Sequence, residues 1–202
     1  MRRRGRGRTV RSAGGFVVLV GPDGVGKTST AASLIRQFEG PTHYFHFRPS
    51  AKGGNEPDPG HVTLRAARRQ PGRMESFMRL GVNVFRFWLG YLATIKPVLR
   101  RGGLVVGDRW AYGYLVQPEV LRYTGPRNAA LWALRLMPKP DLVAVLVAPP
   151  EEIHQRKPEL TVKEIEAQLA AWAQIPGATE IIDARRPPEA VAGSIMDYLL
   201  RS

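Results

Sequence analysis

The feature that most constrains the fold is a glycine-rich loop between two apolar segments. The chain reads FVVLVGPDGVGKTSTAASLIRQF from Phe16 to Phe38. The first five residues form an apolar, largely β-branched run of strand length, and residues 27–38 carry apolar side chains at helical spacing. The loop between them matches G-x-x-x-x-G-K-[ST] through Gly21, Gly26, Lys27 and Thr28. This strand–loop–helix pattern predicts a loop that wraps a phosphate chain.

Each residue type in the loop suits phosphate binding. Glycines let the backbone curl so that N–H groups point inward, and the helix beginning near Lys27 aims its positive end at the same anion. Lys27 supplies a mobile positive charge, and the Thr28 hydroxyl can ligate Mg²⁺. A glycine-rich turn that binds nothing is the alternative. The predicted nucleotide-binding residues are Gly21, Asp23, Gly24, Val25, Gly26, Lys27, Thr28 and Ser29.

Strand and helix patterns alternate along the rest of the chain. The predicted strands are 16–20, 42–47, 104–108, 141–148 and 179–183. The predicted helices are 27–38, 74–99, 127–136, 150–172 with a bend near Pro158, and 188–200. This order predicts an α/β protein with a three-layer P-loop NTPase fold, in which helices lie on both faces of a five-stranded parallel sheet.

Composition divides the chain into a basic tail and one folded domain. Six of the first eleven residues are arginine, so we expect residues 1–14 to be a disordered tail and residues 15–202 to be the P-loop domain. The formal net charge of +13 suits anionic ligands. The absence of cysteine excludes disulfides and fits a cytoplasmic protein. Three cations within residues 74–99 indicate a buried amphipathic helix rather than a membrane span.

Two further segments supply candidate catalytic residues. In LVVGDRW an apolar strand ends at Asp108, where P-loop proteins hold the carboxylate that organises Mg²⁺, so the predicted metal ligands are Thr28 and Asp108. Asp108 could instead cap the next helix. Arg109 is either a ligand of an anionic acceptor or a surface residue. Arg156 follows the fourth strand and either closes over the transferring phosphoryl group or lies on a solvated helix face.

These segments together resemble the thymidylate kinase-like nucleoside and nucleotide kinases. GPDGVGKTST resembles the phosphate loop of that family, LRRGGLVVGDRW resembles its Asp-Arg strand end, and IIDARRPPEAVAGSIMDYLL resembles its last strand and helix, whose connecting loop lies near the adenine in relatives. HFRP and MPKPDLVAVLVAPPEEIHQRKPEL resemble a divergent subgroup often encoded among surface-polysaccharide genes. The resemblance implies a kinase that uses ATP and Mg²⁺, with catalytic residues Lys27, Asp108, Arg109 and Arg156.

The chain departs from the family at the positions that bind the acceptor. Thymidylate kinases carry Arg-Glu-Pro after the second strand, whereas this chain has Arg48 followed directly by Pro49. The family's acid shortly after Asp-Arg is also missing, and Tyr112 and Gln117 stand in that neighbourhood. The predicted acceptor-binding residues are Arg48, Arg109 and Trp110.

Three functions compete at this stage. The first is a thymidylate kinase-like phosphotransferase whose small acceptor, a nucleoside monophosphate, is held by Arg48 and Arg109 on the side of the cleft opposite the loop. The second is a kinase of a sugar, lipid headgroup or nucleoside, with an aromatic cleft wall formed by Tyr44, Phe85, Trp88, Trp110 and Tyr112. The third is a nucleic-acid-binding ATPase that uses the arginine tail. Nonspecific nucleic acid or an anionic surface at the tail, and a homodimer, are further candidate partners.

Overall fold

The computed structural model describes residues 14–47, 71–177 and 179–201. Its five strands are β1 (Gly15–Val20), β2 (Thr42–His46), β3 (Leu104–Asp108), β4 (Leu142–Val147) and β5 (Thr179–Asp183). Its α-helices are α1 (Lys27–Gln37), α2 (Arg73–Gly90), α3 (Lys96–Arg100), α4 (Gly113–Val116), α5 (Arg127–Leu136), α6 (Pro150–Arg156), α7 (Val162–Ala173) and α8 (Pro188–Arg201). The tail and the acceptor candidate Arg48 lie outside the described residues.

The five strands form one parallel sheet in the order β2-β3-β1-β4-β5. The prediction of a five-stranded parallel sheet is therefore confirmed. The strand order places β3 between β2 and β1, with His46 opposite Asp108 in the register. Because all strands run in one direction, their carboxyl ends meet at one edge, and the glycine-rich loop leaves β1 at that edge.

Helices cover both faces of the sheet. Along β1 the side chains of Phe16, Val18 and Val20 enter one core cluster, which also holds side chains of α2, α5 and α7. The intervening Val17 and Leu19 enter the opposite cluster, together with side chains of α1, α6 and α8. This alternation follows from the two-residue period of a strand. The continuous apolar run that the sequence contains is what a strand covered on both faces requires.

The long helix differs from the predicted one in two ways. A π-helical turn, Tyr91–Ile95, separates α2 from α3 just before Pro97, which has no backbone N–H to continue the α-helical ladder. The prediction of a buried helix also fails for much of its surface, because Met74 and Phe85 are 77% and 67% exposed while Leu80 and Phe87 face the core. Within the described ranges, no helix is both long and apolar enough to cross a membrane.

The segment from Pro150 to Trp172 forms two helices rather than one bent helix. α6 ends at Arg156, and Pro158 stands in the connection before α7. A new helix then begins at a capping box, in which the Thr161 hydroxyl accepts from the backbone N–H of Glu164 at 3.3 Å and the Glu164 carboxylate accepts from the backbone N–H of Thr161 at 2.8 Å. Because of the proline and the capping box, the predicted bent helix is two separate helices in the structure.

Candidate functional site

The loop between β1 and α1 has a backbone that only glycine adopts easily. Gly21, Gly24 and Gly26 have φ angles of 142°, 88° and 105°. A Cβ at Gly21 would lie 2.7 Å from the carbonyl oxygen of Leu146, so β4 approaches the loop too closely for any side chain there. The loop therefore turns sharply at the carboxyl edge of the sheet and leads directly into α1.

The N-terminus of α1 is left open for an anion. Its N-cap residue is Gly26, which has no side chain to accept from the first N–H groups, and the first turn contains no acidic residue. The first N–H groups of a helix have no partner within the helix and carry its positive dipole end. Thr28 and Ser29 extend exposed side chains from the same turn. This arrangement suits a phosphate group.

Lys27 folds back over the loop. Its side chain is 6% exposed, and its ammonium group donates to the carbonyl oxygens of Gly21 at 3.0 Å and Pro22 at 2.8 Å. Burial lowers the pKa of Lys27 from its usual value, and the carboxylates of Asp108 and Asp23 act in the opposite direction. The ammonium is therefore held at the centre of the loop by carbonyl dipoles and two acids.

Arg109 contacts the loop itself. Its guanidinium forms an ion pair with Asp23 and donates to the side-chain oxygen of Gln117 at 3.1 Å. Burial of Asp23 favours the neutral acid, but the charges of Lys27 and Arg109 outweigh it and hold the pKa of that carboxyl well below its usual range. The sequence predicts Arg109 on the side of the cleft away from the loop, whereas the structure places its guanidinium against the loop. Gln117 therefore contacts the arginine through its side-chain oxygen.

Asp108 lies at the end of β3 beside two side chains of β2. Its carboxylate is 5% exposed, with Oδ2 3.3 Å from His46 Nδ1, and Oδ1 has no hydrogen-bond partner among the described residues. Burial opposes ionisation of Asp108, yet the His46 contact and the positive charge of Lys27 hold its pKa below the usual value. Burial and the Asp108 charge raise the pKa of Tyr44. His46 is not among the residues predicted for the site, although the pairing of the adjacent ends of β2 and β3 brings it there.

Three residues at these strand ends have backbone conformations that are uncommon for side-chain-bearing residues. The φ angles are 61° for Phe47, 73° for Arg109 and 47° for Trp110. The backbone N–H of Phe47 donates to the carbonyl of Asp108 at 2.7 Å, so the chain stays tied to β3 as it turns. Such strained residues concentrate at functional sites, because surrounding contacts must hold them in place. Their position supports a functional role for the edge formed by β2 and β3.

The aromatic residues expected to form one cleft wall do not lie together. Trp110 is 1% exposed, and its ring centroid lies 4.6 Å from that of Phe87 in the core. Tyr112 is also buried, whereas Phe85 and Trp88 are exposed on α2. The assignment of Trp110 to acceptor binding is corrected here, because its ring packs in the core and has no face open to a ligand.

A cavity of about 410 Å³ lies beside the loop. Arg156 lines it together with Arg185 and Arg186, which stand between β5 and α8. Arg156 pairs with Glu152 one turn earlier on α6 at 3.3 Å and is 44% exposed. The solvated i,i+4 pair is thus present, and the same arginine also lines the cavity. Other lining residues are Gly24, Val25, Gly26, Ser29, Thr30, Ala184, Pro187, Pro188 and Val191.

The donor groups at this edge fit a magnesium ion that arrives with a nucleotide. Among the described residues, no three His, Cys, Asp or Glu side chains are grouped as a metal site. Mg²⁺ bound with nucleotides takes only one or two protein ligands and completes its shell with phosphate oxygens and water. The orphaned Oδ1 of Asp108 and the exposed hydroxyl of Thr28 suit such a role.

No protein-family model matches this chain, and no curated protein matches it.

Proposed function

We propose that this chain is an ATP- and Mg²⁺-dependent phosphotransferase with a P-loop NTPase fold, most simply a thymidylate kinase-like nucleoside monophosphate kinase. One observation carries the proposal: a glycine-rich loop with a buried lysine lies at the carboxyl edge of a parallel sheet, beside a buried aspartate on the next strand. This combination suits phosphoryl transfer, which needs positioning and charge neutralisation more than covalent chemistry by the protein.

The chain's own groups would divide the work as follows. The N–H groups at the start of α1 and the Lys27 ammonium hold the phosphates of the donor. Asp108 and Thr28 hold Mg²⁺, which supplies positive charge to the transferring phosphoryl group when bound. Arg109 sits close enough to the loop to contact an acceptor placed beside Asp23. The N–H groups of the loop and the arginine guanidiniums neutralise the negative charge of the phosphates and keep the donor and the acceptor in line.

The cavity beside the loop suits the base and sugar of the donor nucleotide. It lies against the loop, and three arginines line it. Each guanidinium is held within the chain: Arg156 by Glu152, Arg185 by Asp183 and Arg186 by Ser194. An anchored guanidinium presents a flat face on which a purine can stack. This arrangement favours a nucleotide over a small anion as the ligand of the loop.

Replacing Arg156 with alanine should lower kcat/KM for ATP about tenfold, equivalent to about 1.4 kcal/mol, while the acceptor KM changes little. The reason is that Arg156 lines the donor cavity and is only half-exposed. Steady-state kinetics with varied ATP measure the effect. Glu152→Gln, which removes the charge of the helix partner but keeps an oxygen that can accept from Arg156, is the matched control and should stay near the native value. Equal losses in both variants would indicate that the i,i+4 pair, not the cavity, matters.

A second candidate function keeps the kinase and makes the acceptor uncharged, as in a nucleoside or sugar kinase. The observation that favours it is that Arg109 is already engaged by Asp23 and Gln117. A neutral hydroxyl-bearing acceptor would leave this ion pair in place, whereas an anionic acceptor competes with Asp23 for the guanidinium.

An acceptor screen separates these candidates. The purified chain is incubated with ATP, Mg²⁺ and dTMP, other nucleoside monophosphates, nucleosides or sugars, and ADP release is measured. We expect turnover with a monophosphate that disappears without Mg²⁺ or acceptor. Turnover confined to uncharged acceptors would favour the second candidate. ADP release that depends only on nucleic acid would overturn both and support a nucleic-acid-stimulated ATPase.

A further inference from the structure

The cavity beside the glycine-rich loop is lined by two groups of polar side chains. Ser29 and Thr30 belong to the first turn of α1, where the phosphates of a donor nucleotide would lie. Arg156 belongs to α6, and Arg185 and Arg186 belong to the connection between β5 and α8. Because the phosphates occupy the loop, the base of the nucleotide would meet the three arginines.

The side chains around the base donate hydrogen bonds and do not accept them. A guanidinium carries five N–H donors and no acceptor. Among the described residues that line the cavity there is no aspartate, glutamate, asparagine or glutamine. The hydroxyls of Ser29 and Thr30 can accept, but they lie in the first turn of α1 beside the phosphates. A base in this cavity would therefore meet hydrogen-bond donors.

The two acids that contact these arginines are already occupied. Arg185 donates to Asp183 through Nε at 3.0 Å and through Nη2 at 2.7 Å. These bonds lower the pKa of Asp183 to about 2, so its carboxylate is ionised and paired at neutral pH. Arg156 donates in the same way to Glu152 at 3.3 Å. No described residue accepts from Nη1 of Arg185, so the N–H groups of that atom remain for a ligand.

Purine bases differ at the edge that such donors would meet. Guanine presents two acceptors there, O6 and N7, and one arginine can bind both of them at once. Adenine keeps the N7 acceptor but carries an amino group, which is a donor, in place of O6. An amino group that faces a guanidinium finds no acceptor, and leaving polar groups unpaired costs binding free energy. A cavity lined by donors therefore favours a purine with an oxygen at position 6.

We propose that the donor cavity selects a 6-oxopurine nucleotide, so that GTP binds more tightly than ATP; this inference rests on the proposed function and specifies its donor. Arg185 is the residue assigned to reading O6 and N7, because Asp183 fixes its guanidinium and leaves Nη1 for the base. ATP places its phosphates in the same loop and still serves as a donor, with lower affinity.

The first test compares nucleotides that differ only in the base. Calorimetry with the full chain and Mg²⁺ uses β,γ-imido triphosphate analogues, which prevent phosphoryl transfer during the measurement. The guanosine analogue should bind with a Kd about tenfold lower than the adenosine analogue, at the lower end of the effect of one bidentate arginine contact. The inosine analogue keeps O6 and N7 but lacks the 2-amino group, and it should match the guanosine analogue. The 2-aminopurine analogue lacks O6 and should bind as weakly as the adenosine analogue.

The second test removes the reading residue. Arg185→Ala deletes the donors and releases the Asp183 carboxylate, which can then accept from the adenine amino group, so the tenfold preference should disappear or reverse. Arg201→Ala is the matched control, because it removes an exposed arginine ~20 Å along α8 from Pro188 and should keep the preference.

Three results would overturn the inference in different ways. An adenosine analogue that binds as tightly as the guanosine analogue would refute the selectivity and leave the proposed function intact, because backbone carbonyls must then accept from the amino group. A preference that survives Arg185→Ala would refute the role of that residue. Failure of every analogue to bind to the native chain would refute the proposed function together with the inference.

Discussion

Replacing Lys27 with alanine is expected to lower the phosphoryl-transfer rate by ~10²–10³-fold, the usual effect of removing one preorganised charge that stabilises a transition state. The ammonium lies at the centre of the glycine-rich loop and is held there by two backbone carbonyls. A phosphate chain in the loop offers stronger acceptors than those carbonyls, so the lysine can exchange one set of partners for the other with little movement.

The same contacts require a control for folding. The Lys27 ammonium is buried 3.5 Å from Asp23 Oδ1, and the charge of Asp108 also acts on it, so removing this cation from a buried ion-pair group can destabilise the protein. The variant should therefore be compared with the native chain by thermal unfolding as well as by ADP release. Lys163→Ala removes an exposed lysine on α7 and should leave both readings unchanged. A folded Lys27→Ala variant that turns over at the native rate would show that the glycine-rich loop takes no part in phosphoryl transfer.

The strands and helices of this fold can be predicted from the sequence because each depends on the pattern of residues that are neighbours in the chain. The run of Phe16–Val20, the glycines that follow it and the helical spacing after Lys27 each depend on neighbours in the chain. The alternation of strands and helices then limits the topology to a parallel sheet. In that sheet β2 lies beside β3, and the register places His46 beside Asp108.

The features that sequence analysis misses depend on residues far apart in the chain. The ion pair between Asp23 and Arg109 joins residues that are 86 positions apart. Burial of Trp110 depends on Phe16, Phe45 and Phe87, which come from three different elements. Helical spacing alone also does not say which apolar side of α2 faces the core, because both sides of that helix carry large apolar residues.

Replacing Asp108 with asparagine is expected to produce the second large loss, also ~10²–10³-fold, together with a higher Mg²⁺ requirement. Asparagine has nearly the same size but removes the negative charge. The native carboxylate is buried, and its pKa is held below the usual value by the His46 contact and the Lys27 charge despite the cost of burial. It is therefore ionised at neutral pH, and its buried Oδ1 accepts no hydrogen bond from the described residues within normal geometry.

A Mg²⁺ titration of the Asp108→Asn variant measures this effect, because a metal-organising role shifts the half-saturating Mg²⁺ concentration whereas a capping role changes only stability. Asp197→Asn, which changes an exposed acid on α8, is the matched control and should reproduce the native curve. The Mg²⁺ titration of His46→Ala tests the site independently. This variant keeps the Asp108 carboxylate but removes the imidazole whose Nδ1 lies 3.3 Å from Oδ2. If Asp108→Asn lowers only the unfolding temperature and its Mg²⁺ curve coincides with the native one, Asp108 is a structural residue and the proposed metal site is refuted.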